Sequence, residues 1–119
     1  MQKDIDIIIY GATGFTGQLC VKYFKSLNTS VKWAIAGRNK EKLQQVAEDN
    51  SVDVEILIAD SDNEAELDVL TSRAKVMLST TGPFHRYGSK LVASCVKNNS
   101  HYVDITGENF WVKGIIAKH

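Results

Sequence analysis

The chain has 119 residues, which is enough for one domain with one hydrophobic core. Fourteen basic and fourteen acidic residues give a net charge of zero, which argues against a broad electrostatic surface for nucleic acid or an anionic membrane. The two cysteines form no C-x-x-C pair, and the three histidines are scattered along the chain. We therefore expect neither a metal site nor a disulfide framework. This cysteine usage and the absence of a recognisable signal peptide favour an intracellular, cytoplasmic protein.

The most informative stretch is a glycine-rich turn between a predicted strand and a predicted helix. The apolar run at residues 5–9 is typical of a buried parallel strand, and residues 15–27 have helical periodicity. Between them, Gly11, Gly14 and Gly17 follow the spacing G-x-x-G-x-x-G, a variant familiar from short-chain dehydrogenases. Free N–H groups and the helix dipole favour a phosphate at such a turn. We assign the tight turn to Gly11, the approach of a pyrophosphate to Gly14 and close helix–strand packing to Gly17.

The first helix places its apolar residues along its length, and we expect Cys20 to pack with them as a structural thiol. These apolar residues are Phe15, Leu19, Val21, Phe24 and Leu27.

Four further strands alternate with helices along the rest of the chain. The predicted strands span residues 31–36, 54–59, 74–78 and 102–105. The predicted helices begin after an Asn39 cap and near residues 62, 88 and 108. This alternation predicts an α/β fold, a doubly wound parallel Rossmann sheet in the order 3-2-1-4-5 with helices on both faces. A ligand is then expected beyond the carboxyl ends of strands 1 and 4, where the strand order reverses.

The residue at the end of the second strand favours NADP over NAD. NAD-selective domains usually place an acidic residue there, but this chain has Gly37 and Arg38. A guanidinium pairs with the 2′-phosphate of NADP and can stack on adenine, and Lys40 or Thr13 lies near enough in sequence to assist. The alternatives are NAD as cofactor and Arg38 as a solvated loop charge.

Two further strand ends supply candidate contacts. Asp60 could accept a hydrogen bond from the adenine amino group, or it could cap the following helix. Residues 80–83 could lie against the nicotinamide-side ribose, or form a turn that ends the strand. The complete set of predicted cofactor-binding residues is Gly11, Ala12, Thr13, Gly14, Phe15, Thr16, Gly17, Arg38, Asp60, Thr80, Thr81, Gly82 and Pro83.

A catalytic pair is not recognisable. Short-chain dehydrogenases use Tyr-x-x-x-Lys on one helix, and no tyrosine of this chain has lysine four residues later. His85, Arg86 and Tyr87 could touch substrate or cofactor, or could be a solvated approach to a helix. Asp104 and Glu108 flank the end of the fifth strand, but paired carboxylates indicate catalysis only at a known separation, so we assign no catalytic residue.

Four ordered motifs resemble the saccharopine dehydrogenase-like oxidoreductases. They are Gly-Ala-Thr-Gly-Phe-Thr-Gly at 11–17, Ala-Gly-Arg-Asn at 36–39, Thr-Gly-Pro-Phe at 81–84 and His-Tyr-Val-Asp-Ile-Thr-Gly-Glu at 101–108. Family members are several times longer and carry a second α/β domain. The resemblance implies that residues 1–119 are the NAD(P)-binding domain of a longer oxidoreductase that performs hydride transfer, and that its substrate is bound mainly by a missing domain.

The resemblance also implies a range of substrates and partners. Some relatives act on lipid-like enoyl substrates and others on an amino-acid imine, and eukaryotic members associate with lipid droplets or membranes. A homodimer is compatible with the sequence. A non-catalytic NADP(H) redox sensor and a scaffold are the alternative functions. We expect Phe84, Phe110 and Trp111 to expose apolar surface toward the missing domain.

Overall fold

A computed structural model describes residues 3–27, 30–82, 84–104 and 108–119, without the side chains of residues 84, 85, 109 and 110. Five strands form one parallel sheet: β1 (Ile5–Tyr10), β2 (Trp33–Gly37), β3 (Glu55–Ile58), β4 (Ala74–Ser79) and β5 (His101–Val103). The helices are α1 (Phe15–Leu27), α2 (Lys40–Asp49), α3 (Glu64–Arg73), the short α4 (Phe84–Tyr87), α5 (Ser89–Lys97) and α6 (Asn109–Lys118). The strand order is β3-β2-β1-β4-β5, so the predicted Rossmann topology is confirmed.

The central strand β1 is covered on both faces, which explains its nearly continuous isoleucines. One core cluster contains Ile9 with Val21 of α1 and Leu43 of α2. The other contains Ile8 with Leu67 of α3 and Leu91 of α5. One cluster lies on each face of the sheet, between the sheet and its helices. The helix, sheet and helix layers therefore form the predicted three-layer architecture.

Element boundaries differ from prediction where a side chain competes with the strand ladder. The second strand begins at Trp33 rather than residue 31, because the amide of Lys32 donates to the Asp6 carboxylate at 2.8 Å. The predicted cap at Asn39 is confirmed, since its side chain accepts from the Lys42 amide at 3.1 Å. The third helix is capped by Asn63, whose side chain accepts from the Glu66 amide at 3.0 Å.

The apolar residues of α1 divide into a packed face and an exposed ridge. Val21, Phe24 and Cys20 pack into the core cluster beneath α1 and α2, as expected. The prediction is wrong for the other apolar residues of the helix, because they project from the sides turned away from the sheet. Those exposed residues are Phe15, Leu19 and Leu27, and Tyr23 continues their ridge.

Trp111 was expected to be exposed but is buried. It packs against Val92 of α5, and its indole N–H donates to the Ser89 hydroxyl at 2.8 Å. The indole therefore contributes to the attachment of α6 within this domain. The side chains of Phe84 and Phe110 lie outside the described part of the structure.

An arginine joins three segments at the amino edge of the sheet. Arg73, at the end of α3, donates to Asp4 from Nε at 3.1 Å and from Nη2 at 2.7 Å. It also donates to both carboxylate oxygens of Glu55 at 2.7 and 2.8 Å. These paired contacts hold the lead-in to β1 and the start of β3 against the start of β4.

Within the described ranges, no helix combines the length and apolar character that would be needed to cross a membrane.

Candidate functional site

The glycine-rich turn is anchored by the neighbouring strand. Gly11 has a φ of +87°, a left-handed conformation that side chains rarely adopt, and its amide donates to the Ala36 carbonyl oxygen at 2.9 Å. The amide of Gly14 then donates to the Gly11 carbonyl oxygen at 3.2 Å. These contacts set the direction in which α1 leaves the sheet.

The three glycines of the turn have different steric surroundings. A Cβ atom on Gly11 would overlap the Thr81 side chain, and one on Gly17 would overlap the Gly11 carbonyl oxygen. At Gly14 the nearest atom to an added Cβ would be the Gly11 carbonyl oxygen at 3.6 Å, which is ordinary contact. The fold therefore requires glycine at 11 and 17, whereas Gly14 is exposed where a phosphate could approach α1.

A cleft of about 210 Å³ opens at the carboxyl edge of the sheet. It lies beside the turn and between the ends of β1 and β2, at the topological switch point where Rossmann folds bind ligands. Its lining residues are Tyr10, Gly11, Thr13, Gly37, Arg38, Ser61, Thr81 and Tyr87.

Arg38 is the only cation that lines this cleft among the described residues. Its side chain is exposed, and it has no hydrogen-bond or ion-pair partner in the described part of the chain. A guanidinium held at the end of β2 and free of a protein carboxylate can bind an anionic ligand group.

The Tyr10 side chain is a structural part of the cleft floor. Burial raises the pKa of Tyr10 to about 12; the charge of Asp60 adds to this rise, and Ser61 and Arg38 oppose it. The phenol donates to the Ala59 carbonyl oxygen at 3.0 Å. It is therefore protonated at neutral pH, and its hydrogen is already donated to the backbone that follows β3.

The predicted residues after β4 divide between internal and cleft positions. The Thr80 hydroxyl lies 3.1 Å from the Tyr10 carbonyl oxygen and 3.0 Å from that of Gly11, so it braces the turn against β4. Thr81 lines the cleft, and Gly82 is exposed. Pro83 lies outside the described residues.

Asp60 lies beside the cleft and lines a neighbouring acidic groove with Asp62, Glu64 and Glu66. Its Oδ1 accepts from the Asp62 amide at 2.9 Å. The residue that lines the cleft from this segment is Ser61, which belongs to none of the predicted motifs. A contact between Asp60 and a cofactor stays a prediction.

Five of the predicted residues of the turn do not line the cleft: Ala12, Gly14, Phe15, Thr16 and Gly17. Ala12 is fully buried, Thr16 is half-buried, and Phe15 is 83% exposed. Any contact that they make with a ligand would come from the backbone of the turn or from outside the cleft.

A second polar cluster lies at the ends of β4 and β5. Burial, reinforced by Asp104, holds the pKa of Tyr102 far above its usual range, and Ser79 has a small opposing effect. The Tyr102 phenol therefore stays protonated beside the Asp104 carboxyl group. In α4, the Arg86 guanidinium lies 5.4 Å from the centre of the Tyr87 ring, which itself lines the first cleft.

A parallel 3-2-1-4-5 sheet with a glycine-rich turn after β1 defines the class of Rossmann-like α/β domains. Residues 7–114 match the family described as the saccharopine dehydrogenase NADP-binding domain, and the chain belongs to that family.

The relatives in this family are longer proteins. The trans-acting enoyl reductase of Mycobacterium leprae is 36% identical over 121 residues, a match that covers 99% of this chain and 29% of the relative. The saccharopine dehydrogenase-like oxidoreductase of Mus musculus is 34% identical over 133 residues, covering 99% of this chain and 31% of the relative. The chain thus spans less than a third of the length of these relatives.

A solved structure supports the fold. A short-chain dehydrogenase/reductase from Veillonella parvula, in complex with NADP, superposes with a TM-score of 0.65 at 17% sequence identity. The match covers 88% of this chain and 48% of that one.

Proposed function

We propose that this chain holds NADP in the cleft at the carboxyl edge of its sheet, as the cofactor-binding part of an oxidoreductase. The observation that carries the proposal is the position of Arg38. Its guanidinium lines the cleft at the end of β2 and has no carboxylate partner among the described residues. Membership of an NADP-binding family supports this choice over NAD.

The residues present suit a dinucleotide. In this proposal, the pyrophosphate approaches the start of α1 at the uncrowded face of Gly14. Arg38 binds the adenosine 2′-phosphate, and Thr81 lies on the side of the cleft that follows β4. When bound, the nicotinamide would supply or accept the hydride, while the chain binds and orients the dinucleotide.

The substrate would be bound by protein outside these 119 residues. The relatives are named as an enoyl reductase and as a saccharopine dehydrogenase-like oxidoreductase, and this chain spans less than a third of their length. We therefore propose hydride transfer as the reaction, with substrate contacts and any association with a membrane surface assigned to the remaining length.

A non-catalytic NADP(H) sensor is the second candidate, and one observation favours it. Among the described residues, the cleft lining contains no lysine, histidine or carboxylate, and the pKa of Tyr10 is about 12. Apart from hydroxyl groups, the described lining thus offers no side chain for proton transfer. Either groups elsewhere move the proton, or the protein binds the cofactor without turnover.

Calorimetric titration of the chain with NADPH and NADH tests the proposal. Arg38→Ala should weaken NADPH binding by about 1.5–3 kcal/mol, because it removes a charge-assisted hydrogen bond to phosphate. NADH affinity should barely change. The matched control is Lys25→Ala, which removes one positive charge near the end of α1, at the opposite edge of the sheet.

Equal losses for both cofactors would contradict the role of Arg38. If neither cofactor binds to the chain or to the full-length protein, the cleft does not serve as a dinucleotide site and a scaffold becomes the better reading. Steady oxidation of NADPH by the full-length protein with any enoyl or imine substrate would eliminate the sensor.

A further inference from the structure

A second cleft adjoins the first along the glycine-rich turn. It has a volume of about 270 Å³ and lies between α1 and α2. Its lining residues are Thr13, Gln18, Lys42, Gln45, Val46 and Asp49. Thr13 lines both clefts. Arg38 lines the first cleft and Lys42 lines the second.

The wall between the two clefts is held in place by local hydrogen bonds. The Gln18 side-chain amide donates to the Thr13 carbonyl oxygen at 2.8 Å, which ties the turn to the first turn of α1. The Asn39 side chain accepts from the Lys42 amide at 3.1 Å, which fixes the start of α2. The backbones that carry Thr13 and Lys42 are therefore both anchored.

Helical geometry places Lys42, and not Lys40, on the cleft. Lys42, Gln45, Val46 and Asp49 are spaced i, i+3, i+4 and i+7, so they share one face of α2. Lys40 is two residues away, which turns it about 200° around the helix axis. Lys40 lines neither of the two clefts.

We propose that Lys42 is a specificity-determining residue that contacts the adenosine 2′-phosphate from the α2 side, opposite Arg38. The inference rests on the proposed function and deepens it. A phosphate monoester carries about −1.5 to −2 charges at neutral pH, more than one cation balances. A guanidinium can bind two of its oxygens, and the Lys42 ammonium adds a point charge at the mouth of the second cleft. Thr13 lines both clefts, and its hydroxyl would add a donor to the same phosphate.

One carboxylate lies in the same cleft and limits where the phosphate can sit. Asp49 is at the other end of the shared α2 face, two turns from Lys42, and its Oδ1 accepts from the Gln45 side-chain amide at 2.7 Å. Its charge disfavours an anion deep in the cleft. The proposal therefore places the phosphate at the Thr13 end of the cleft, the end that adjoins the cleft lined by Arg38.

The test compares Lys42→Ala with Lys40→Ala, which removes the same charge from the same helical turn but from another face. NADPH and NADH are titrated into the 119-residue wild-type chain and both variants. Lys42→Ala should weaken NADPH binding by roughly 5- to 10-fold and NADH binding by less than about 2-fold. Lys40→Ala should change either affinity by less than about 2-fold, and Lys42→Arg should retain most of the NADPH affinity. The loss in Lys42→Ala should shrink as salt is raised from about 0.05 to 0.5 M.

Two results would overturn the inference alone while leaving NADP binding intact. In one, the wild type prefers NADPH but Lys42→Ala and Lys40→Ala lose equal affinity. In the other, Lys42→Ala weakens NADH as much as NADPH, which would mean a contact away from the 2′-phosphate. A wild-type chain that binds no NADPH, or prefers NADH, overturns both this inference and the proposed function.

Discussion

The backbone of Gly17 lies directly against the carbonyl oxygen of Gly11, so the first turn of α1 touches the loop that leaves β1. An added Cβ on residue 17 would also lie 2.7 Å from the Cα of Ala12, closer than two carbon atoms can pack. Gly17→Ala should therefore push α1 away from the sheet. We expect a loss of about 1–3 kcal/mol in the free energy of unfolding, measured by urea denaturation. Wild-type stability in this variant would contradict the contact.

Gly14→Ala should weaken NADPH binding while leaving the stability of the fold nearly unchanged. The added Cβ meets only ordinary contact at 3.6 Å, and Gly14 does not have the left-handed φ of Gly11. The unfolding free energy should change by less than about 1 kcal/mol, with a slight gain expected from the stiffer unfolded chain. NADPH binding should fall by roughly 10-fold, because the methyl group occupies the face of the turn assigned to the pyrophosphate. A variant that unfolds, or one that binds as tightly as wild type, would show that Gly14 has another role.

The sequence was sufficient to predict the strand order but not the separate roles of the glycines. Isoleucine-rich β1 and the regular alternation of strands and helices leave few topologies with right-handed crossovers. The spacing of Gly11, Gly14 and Gly17 predicts one phosphate turn, yet two of the three are required by internal packing. That distinction depends on how closely α1 and β4 approach the turn, which no local pattern encodes.

The same limit applies to the cleft lining. The carboxyl ends of the strands were predictable, so Arg38 and Thr81 were found. The hydroxyl of Thr80 is engaged by the carbonyl oxygens of Tyr10 and Gly11, and Ser61 lines the cleft where Asp60 was expected. Ser61 also follows β3 at the carboxyl edge of the sheet, so its position near the cleft could be predicted. Whether Asp60 or Ser61 faces the cleft depends on the local path of the backbone, which the sequence does not show.

A polar network between α3 and α5 should make stability fall in acid. Asp68 accepts from Ser94 Oγ at 2.6 Å and from Lys97 Nζ at 2.7 Å. The hydrogen bond from Lys97, followed by that from Ser94, holds the pKa of Asp68 below its usual range. The ionised carboxylate therefore stabilises the fold above about pH 4, the ordinary pKa of aspartate, and this contribution disappears as the pH falls through the lower folded-state pKa.

Asp68→Asn should accordingly cost about 1 kcal/mol at pH 7, a modest value because the Lys97 pair is solvent-exposed. The difference from wild type should narrow as the pH is lowered toward about 3. Urea denaturation at a series of pH values measures it, with the exposed Asp53→Asn as control. A difference that is independent of pH would mean that Asp68 acts through its shape rather than its charge.

Cys95 should resist thiol reagents in the folded protein. Burial raises the pKa of Cys95 to about 12, and the side chain is 1% exposed. Burial also raises the pKa of the half-buried Cys20. In a Cys20→Ser variant at pH 8, labelling of Cys95 should require unfolding and should accelerate in urea in step with the loss of helical signal. Rapid labelling without denaturant would show that α5 opens locally.

The three-way contact of Arg73 with Asp4 and Glu55 bears on the lifetime of the folded chain. It needs β1 and β3 in position, and it needs the crossover through α3 to have brought β4 to the other side of β1. Such a contact completes late, after the slow search for long-range strand pairing. Its removal would leave the folding rate nearly unchanged and would speed unfolding. The amino edge, far from the cleft, would thus contribute to how long a folded and binding-competent domain persists.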